Sequence, residues 1–362
     1  MPYPLLLHAE HATGPVTYRP LGNWVVPWCF ESLETEYRAL RSGAGLVDYS
    51  TLAVIEIGGA DRAAFLHNLL TNDIKRLAPG SGCAAALLNA NGTLLADLRV
   101  LMMEQAAWLL CDATRAESLA RALEGYVFSE AVTVINHERR HAVFAIEGPQ
   151  TMAALSRLTK QVIALPERFD HATATIDEVP VRLVRDGLTG GLGALCIVES
   201  SHAKRLWESL TRLAPGAGLR LAGWEALNTA RIEAGIPWYG LDMTEEHLLP
   251  ETGLEALAAS ETKGCYVGQE IVARMATYGS ASKKLMGLLI DGAETPEPGD
   301  RILHDGQDTG QITSACLSPA LKRPIALGYV KRGAYEPGTA VEIARGNARL
   351  RATVAARPLV AG

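Results

Sequence analysis

Near Lys284 the hydrophobic rhythm of the chain changes, and that change constrains the fold more than any other feature. Beyond it, short apolar runs at 285–290, 311–313, 325–330, 340–343 and 350–354 alternate with Gly, Pro and Asp turns. Such spacing predicts an all-β unit, a small barrel or a jelly roll. Before it the texture is mixed. Residues 52–57 read as a strand, Gly58-Gly59 as a turn, and Asp61 as the N-cap of a helix burying Phe65, Leu66, Leu69 and Leu70. Asn91-Gly92 between the runs 83–88 and 94–103 is a hairpin signal. Residues 108–111 make a further strand, and 115–123 a helix ending at Gly125. Strands at 131–135, 142–146, 181–184 and 194–198 follow. Two helices come next, from Ser201 to Leu213 and from Gly223 to Ala234, the second stopped by Gly235 and Pro237. The first fifty residues read as irregular. The expected fold class is α+β, in three parts: 1–145, 146–283 and a β-barrel domain at 284–362.

Length and composition exclude several classes. At 362 residues and 48% hydrophobic, the chain has the material for two or three cores and is not a disordered one. A net charge of -6, with no run of five like charges, argues against a dedicated nucleic-acid binder. No segment approaches the ~20 apolar residues of a membrane span, and the first residues carry no basic leader. The expected location is cytoplasmic, or the mitochondrial matrix in a eukaryote. Six scattered cysteines without a CxxC pair point to free thiols, most of them buried.

Some motifs can be discounted. His137-Glu138-Arg139-Arg140-His141 matches HExxH, but it lies between two strand-like runs. A zinc site of this kind needs both histidines on one helix face. An exposed hairpin tip is expected instead, and no metal. The run from Arg185 to Gly193 is Gly-rich yet fits no phosphate loop and joins two strands.

Two places carry chemistry. Asp97 sits inside an apolar run, where a carboxylate is costly unless it is paired or meets a polar ligand. It either faces a ligand or lies on a strand face paired with Arg99. Cys265, bracketed by Gly264 and Gly268 and two residues after Lys263, is the other. A nearby ammonium or a helix N-terminus would raise its thiolate fraction; the alternative is a structural cysteine in a turn.

Lys263-Gly264-Cys265-Tyr266-Val267-Gly268-Gln269-Glu270 resembles the K-G-C-[FY]-x-G-Q-E signature of the YgfZ family, folate-binding relatives of the glycine-cleavage T-protein. The wider T-protein superfamily is resembled by Gly45-Leu46-Val47-Asp48-Tyr49-Ser50, by Phe65-Leu66 through Thr71-Asn72-Asp73, and by Arg231-Ile232-Glu233-Ala234-Gly235-Ile236-Pro237. Gly310 to Val330 is similar to its C-terminal β domain. The resemblance implies a three-part cloverleaf around a channel that binds tetrahydrofolate. It implies a monomeric accessory protein for iron–sulfur cluster assembly or repair in client enzymes, tRNA-modifying ones included. Cys265 would be the functional thiol, tuned by Lys263. Asp97, Arg231, Glu233, Tyr266, Gln269 and Glu270 would be channel or cofactor-binding residues, although a helix-end salt bridge also explains Arg231 and Glu233. Without closely spaced cysteines, the chain is not expected to hold a cluster itself. The alternative is a tetrahydrofolate-dependent aminomethyl- or methyltransferase with Asp97 in proton transfer. A third reading is an interaction module that keeps only the fold. Two departures from the T-protein pattern weigh against the transferase. The Asp-Asp pair reads Ala96-Asp97, and the T-G-E turn reads Thr189-Gly190-Gly191.

Overall fold

The computed structural model of the chain describes residues 3–11, 14–278 and 281–361. Two sheets form its centre. The first is five-stranded and antiparallel, in the order Gly82–Leu88, Leu94–Met102, Ala106–Asp112, Leu52–Gly58, Thr133–Asn136. The second has six strands, in the order His171–Ile176, Val179–Arg185, Gly193–Glu199, His141–Glu147, Gly45–Asp48, Arg220–Leu221. Val54, Leu101 and Leu110 of the first sheet share one buried cluster with Val47, Val143, Ala145 and Leu195 of the second.

The central strands read as unbroken apolar runs because both of their faces are buried. In Leu52–Gly58, Leu52 and Val54 enter the shared core. Ala53, Ile55 and Ile57 face a second core that also takes in Phe65 and Leu119, from helices Arg62–Leu69 and Ala116–Glu124. In His141–Glu147 the same two-residue period sends Val143 and Ala145 inward. Ala142, Phe144 and Ile146 go to a third core with Leu155 and Leu206, from helices Thr151–Thr159 and Ser200–Ala217.

The C-terminal part is a closed six-stranded barrel, in the order Lys283–Ile290, Arg323–Lys331, Gln307–Ser318, Arg301–His304, Ala340–Arg345, Ala348–Ala355. Closure leaves no free sheet edge. Each apolar run expected as a strand lies in one. Arg301–His304, only one of whose four residues is buried, carries too weak a signal to be seen. The barrel packs on helix Trp224–Glu233 through Ile232, Leu285, Ile325, Leu327 and Tyr329.

Several expectations need correcting. The first fifty residues contain regular elements: Tyr3–Pro4, Trp24–Cys29 and Thr17–Leu21 form a small sheet, and Ser32 caps helix Leu33–Ser42 by accepting from Thr35 N (3.2 Å). The boundary expected at 145 cuts strand His141–Glu147, because Gly45–Asp48 crosses over to pair with it. The HExxH stretch is no hairpin tip, since Thr133–Asn136 and His141–Glu147 belong to different sheets. Among the described residues no group of three or more His, Cys, Asp or Glu could hold a metal ion. Asp61 flanks its helix but caps nothing; its carboxylate accepts from Ala131 N (2.8 Å). Among the described residues no helix is long and apolar enough to cross a membrane.

Candidate active site

A cavity opens where strand Leu94–Met102, the end of strand Gly45–Asp48 and helix Trp224–Glu233 converge. The strand's alternation decides what it presents there. Leu94, Ala96, Leu98 and Val100 are buried in cores, so Leu95, Asp97 and Arg99 take the opposite face. Asp97 and Arg99 line the cavity.

Aromatic rings form the wall. Tyr49 stacks on Trp224 with 5.2 Å between ring centroids, and Trp224 on Trp238 with 4.5 Å. The indole of Trp224, fully buried, is anchored by donating to the Asp48 carbonyl (3.0 Å). Tyr239 follows, and its hydroxyl donates to the Leu95 carbonyl (3.0 Å). Asn228, one helical turn after Trp224, adds an amide to the lining.

Asp97 forms no ion pair with Arg99, so of the two alternatives the pairing does not occur. Arg99 Nε instead donates to Asp186 Oδ2 (2.5 Å), across to the second sheet's Gly-rich turn. Arg168 holds the other oxygen of Asp186 through Nε (3.0 Å) and Nη2 (2.7 Å). Burial pushes the Asp97 carboxyl up; the charge of Arg99 opposes this, and Asp112 reinforces it. Asp112, also on the lining, is raised by burial as well.

Arg231 reaches the cavity edge but is fully engaged. Its Nε donates to Asn228 (2.8 Å), Nη1 to Asp242 (2.5 Å) and the Ile236 carbonyl (3.1 Å), and Nη2 to Ser314 (2.8 Å) in the barrel. Glu233 stands apart from the cavity. Fully buried, it accepts from Tyr37 (2.6 Å), Arg41 (2.6 Å) and Ser318 (2.5 Å). These two residues clamp the barrel to the helix.

The cysteine loop lies elsewhere. Cys265 is exposed. The Lys263 ammonium turns inward and donates to the carbonyls of His67, Leu70 and Asn72, at the end of helix Arg62–Leu69. Burial lowers its pKa to about 8. The cation expected to tune Cys265 serves these three carbonyls. Tyr266 is buried with Leu94 and Tyr239, Gln269 begins helix Gln269–Tyr278, and exposed Glu270 pairs with Arg274 (2.6 Å). None of these five loop residues lines the cavity. The loop rests on the hairpin turn after strand Gly82–Leu88. Gly268 has φ +79°, and a Cβ there would meet the Asn89 carbonyl oxygen at 2.6 Å.

Gly191 has open space where a side chain would go. The carboxylate of this turn is Glu147, buried beneath it and accepting from Leu188 N (3.1 Å) and the Thr189 hydroxyl (3.0 Å); burial pushes it up to about 8.

Residues 7–262 match the family described as GCVT N-terminal domain, and residues 283–360 match the glycine cleavage T-protein C-terminal barrel domain. The chain belongs to the glycine cleavage T-protein family. Among its T-protein relatives, an aminomethyltransferase of Streptomyces avermitilis is 30% identical over 337 residues, 92% of this chain and 91% of that one. One of Parasynechococcus marenigrum is 31% identical over 349 residues, 94% and 93% of the two chains. The crystal structure of the glycine cleavage system aminomethyltransferase T from Bartonella henselae superposes with a TM-score of 0.89. It covers 100% of this chain and 99% of that one at 23% identity, a likeness of T-protein fold. These matches support the T-protein family as a whole; the YgfZ branch rests on the cysteine loop.

Sequence reading missed the aromatic wall and placed Arg99 only as a partner for Asp97. The signal was present in Trp224, Trp238 and Tyr239, which bracket the Arg231 segment.

Proposed function

We propose that the cavity binds tetrahydrofolate and that the protein is a one-carbon transferase of the aminomethyltransferase kind. One observation carries this reading: a half-buried carboxylate, Asp97, faces an aromatic-walled cavity and, among the described residues, forms no ion pair. The lining fits the cofactor in kind. Tyr49, Trp224, Trp238 and Tyr239 offer flat apolar surface to a fused ring, and Asn228 an amide for its polar edge. When bound, tetrahydrofolate supplies the amine nitrogens that take up a one-carbon unit. Asp97, its carboxyl raised by burial, holds or releases a proton at the reacting end of the cavity. The stacked rings keep bulk water from it. Gly191 brings no carboxylate, so Asp97 is the acid–base group of this account. Asp97→Asn tests it: tetrahydrofolate still binds, and transfer falls by about 10²–10⁴. Equal loss of both would sink it.

A second reading, the YgfZ-type accessory role toward iron–sulfur client or assembly proteins, has its own observation. Of the six thiols only Cys265 is exposed, on a loop built around Lys263 and Gly268. Cys265→Ser separates the two. Lost support of client enzymes, tRNA-modifying ones among them, with transfer intact favours the accessory role; intact support counts against it.

A further inference from the structure

Arg99 presents donors to the cavity that no protein group takes among the described residues. Its Nε is held by Asp186, while among the described residues neither terminal nitrogen meets an acceptor. Asp186 is fully buried and is shared with Arg168, so two guanidiniums divide one carboxylate. The other guanidinium on the lining, Arg231, has all three nitrogens engaged. The charged and titratable groups facing Arg99 are Asp97 on its own strand, Asp112 on the neighbouring strand and Tyr49 from the second sheet. Asp97 makes no ion pair with it, and burial works against the charge of both aspartates.

We propose that Arg99 binds the carboxylate of a small amino-acid co-substrate that shares the cavity with the folate. The inference rests on the folate reading above. Asp97 and Arg99 stand two residues apart on one strand face, about 6.6 Å. An ammonium at Asp97 and a carboxylate at Arg99 span that distance in one small zwitterion. A guanidinium fork fixed at Nε meets a carboxylate in a set orientation. A folate's own carboxylates are a less fitting source. They lie beyond an entire p-aminobenzoyl ring from the nitrogens that Asp97 would serve.

The test uses the full-length chain and tryptophan fluorescence. Three probes are titrated: 6-methyltetrahydropterin, which has no carboxylate; tetrahydrofolate; and, with tetrahydrofolate bound, glycine against glycinamide. The wild type should bind glycine and discriminate against glycinamide. Arg99→Met should weaken glycine by about 10- to 100-fold more than it weakens 6-methyltetrahydropterin. Arg99→Lys should fall between. If the Met variant does not fold, the Lys variant and the wild-type preference for glycine decide. Equal binding of glycine and glycinamide, or none of either while the pterin binds, overturns the proposal and leaves the folate reading standing. Weakening of tetrahydrofolate but not of 6-methyltetrahydropterin, with glycine unaffected, assigns Arg99 to the folate tail and also overturns it. Failure of the pterin to bind the wild type is a separate result, against the folate reading itself.

Discussion

Trp224 and Trp238 stack with 4.5 Å between ring centroids and 17° between planes, yet the two rings have different duties. Trp224 is fully buried and hydrogen-bonded to Asp48; Trp238 is half-buried on the cavity wall. Trp224→Ala should therefore destabilise the fold by about 3–5 kcal/mol. Trp238→Ala should cost less stability and weaken tetrahydrofolate. Thermal unfolding and titration, run on both variants, check the division; equal loss of stability in both would contradict it.

Arg231 and Asp242 form a buried ion pair that ties helix Trp224–Glu233 to the barrel through Ser314. Arg231→Met leaves Asp242, fully buried, without its cation. A loss of about 3–5 kcal/mol is expected in urea unfolding. A loss under about 1 kcal/mol, the range of an exposed pair, would show that the clamp carries little.

Glu147 sets a pH dependence. Its folded pKa, about 8, stands above the ordinary value of 4.5, so its contribution is fully present below the unfolded value. As pH rises from 4.5 through 8 the folded state must ionise a buried carboxyl, and stability falls. A difference on the order of 4 kcal/mol between pH 5 and pH 8.5 is expected. Glu147→Gln keeps an acceptor for Leu188 N and Thr189 and should remove most of that slope. An unchanged slope in the variant would assign the effect to other groups.

Cys265 should be the fastest of the six thiols to alkylate. Cys29, Cys83, Cys196 and Cys316 are pushed by burial to about 11 or 12. Lys263→Met should leave the Cys265 rate near its wild-type value while lowering the melting temperature, because the ammonium serves three carbonyls. Per-cysteine mass spectrometry reads this; a several-fold drop in the Cys265 rate would restore the electrostatic link.

Much of the fold was open to sequence reading because the strands bury both faces and so advertise themselves as apolar runs, as at 52–57 and 142–146. Chain crossing was not. Nothing local to Gly45-Leu46-Val47-Asp48 says that its partner is His141–Glu147. The site divides in the same way. Asp97 stands out as a charge inside an apolar run, and its alternation with Leu98 gives its face. Its relation to Arg99 depends on Asp186, 87 residues further on, which takes the guanidinium from across the sheets. Lys263 and Cys265 are close in sequence, but the loop turns one inward and the other out, a difference set by packing against residues 67–72.

The most direct test of the central claim is calorimetric titration of tetrahydrofolate into the full-length protein, beside Trp238→Ala. The account predicts saturable binding of one folate per chain, weakened in the variant, with the variant still folded. No binding by the wild type, or the same affinity in both proteins, would contradict the assignment of this cavity to the folate.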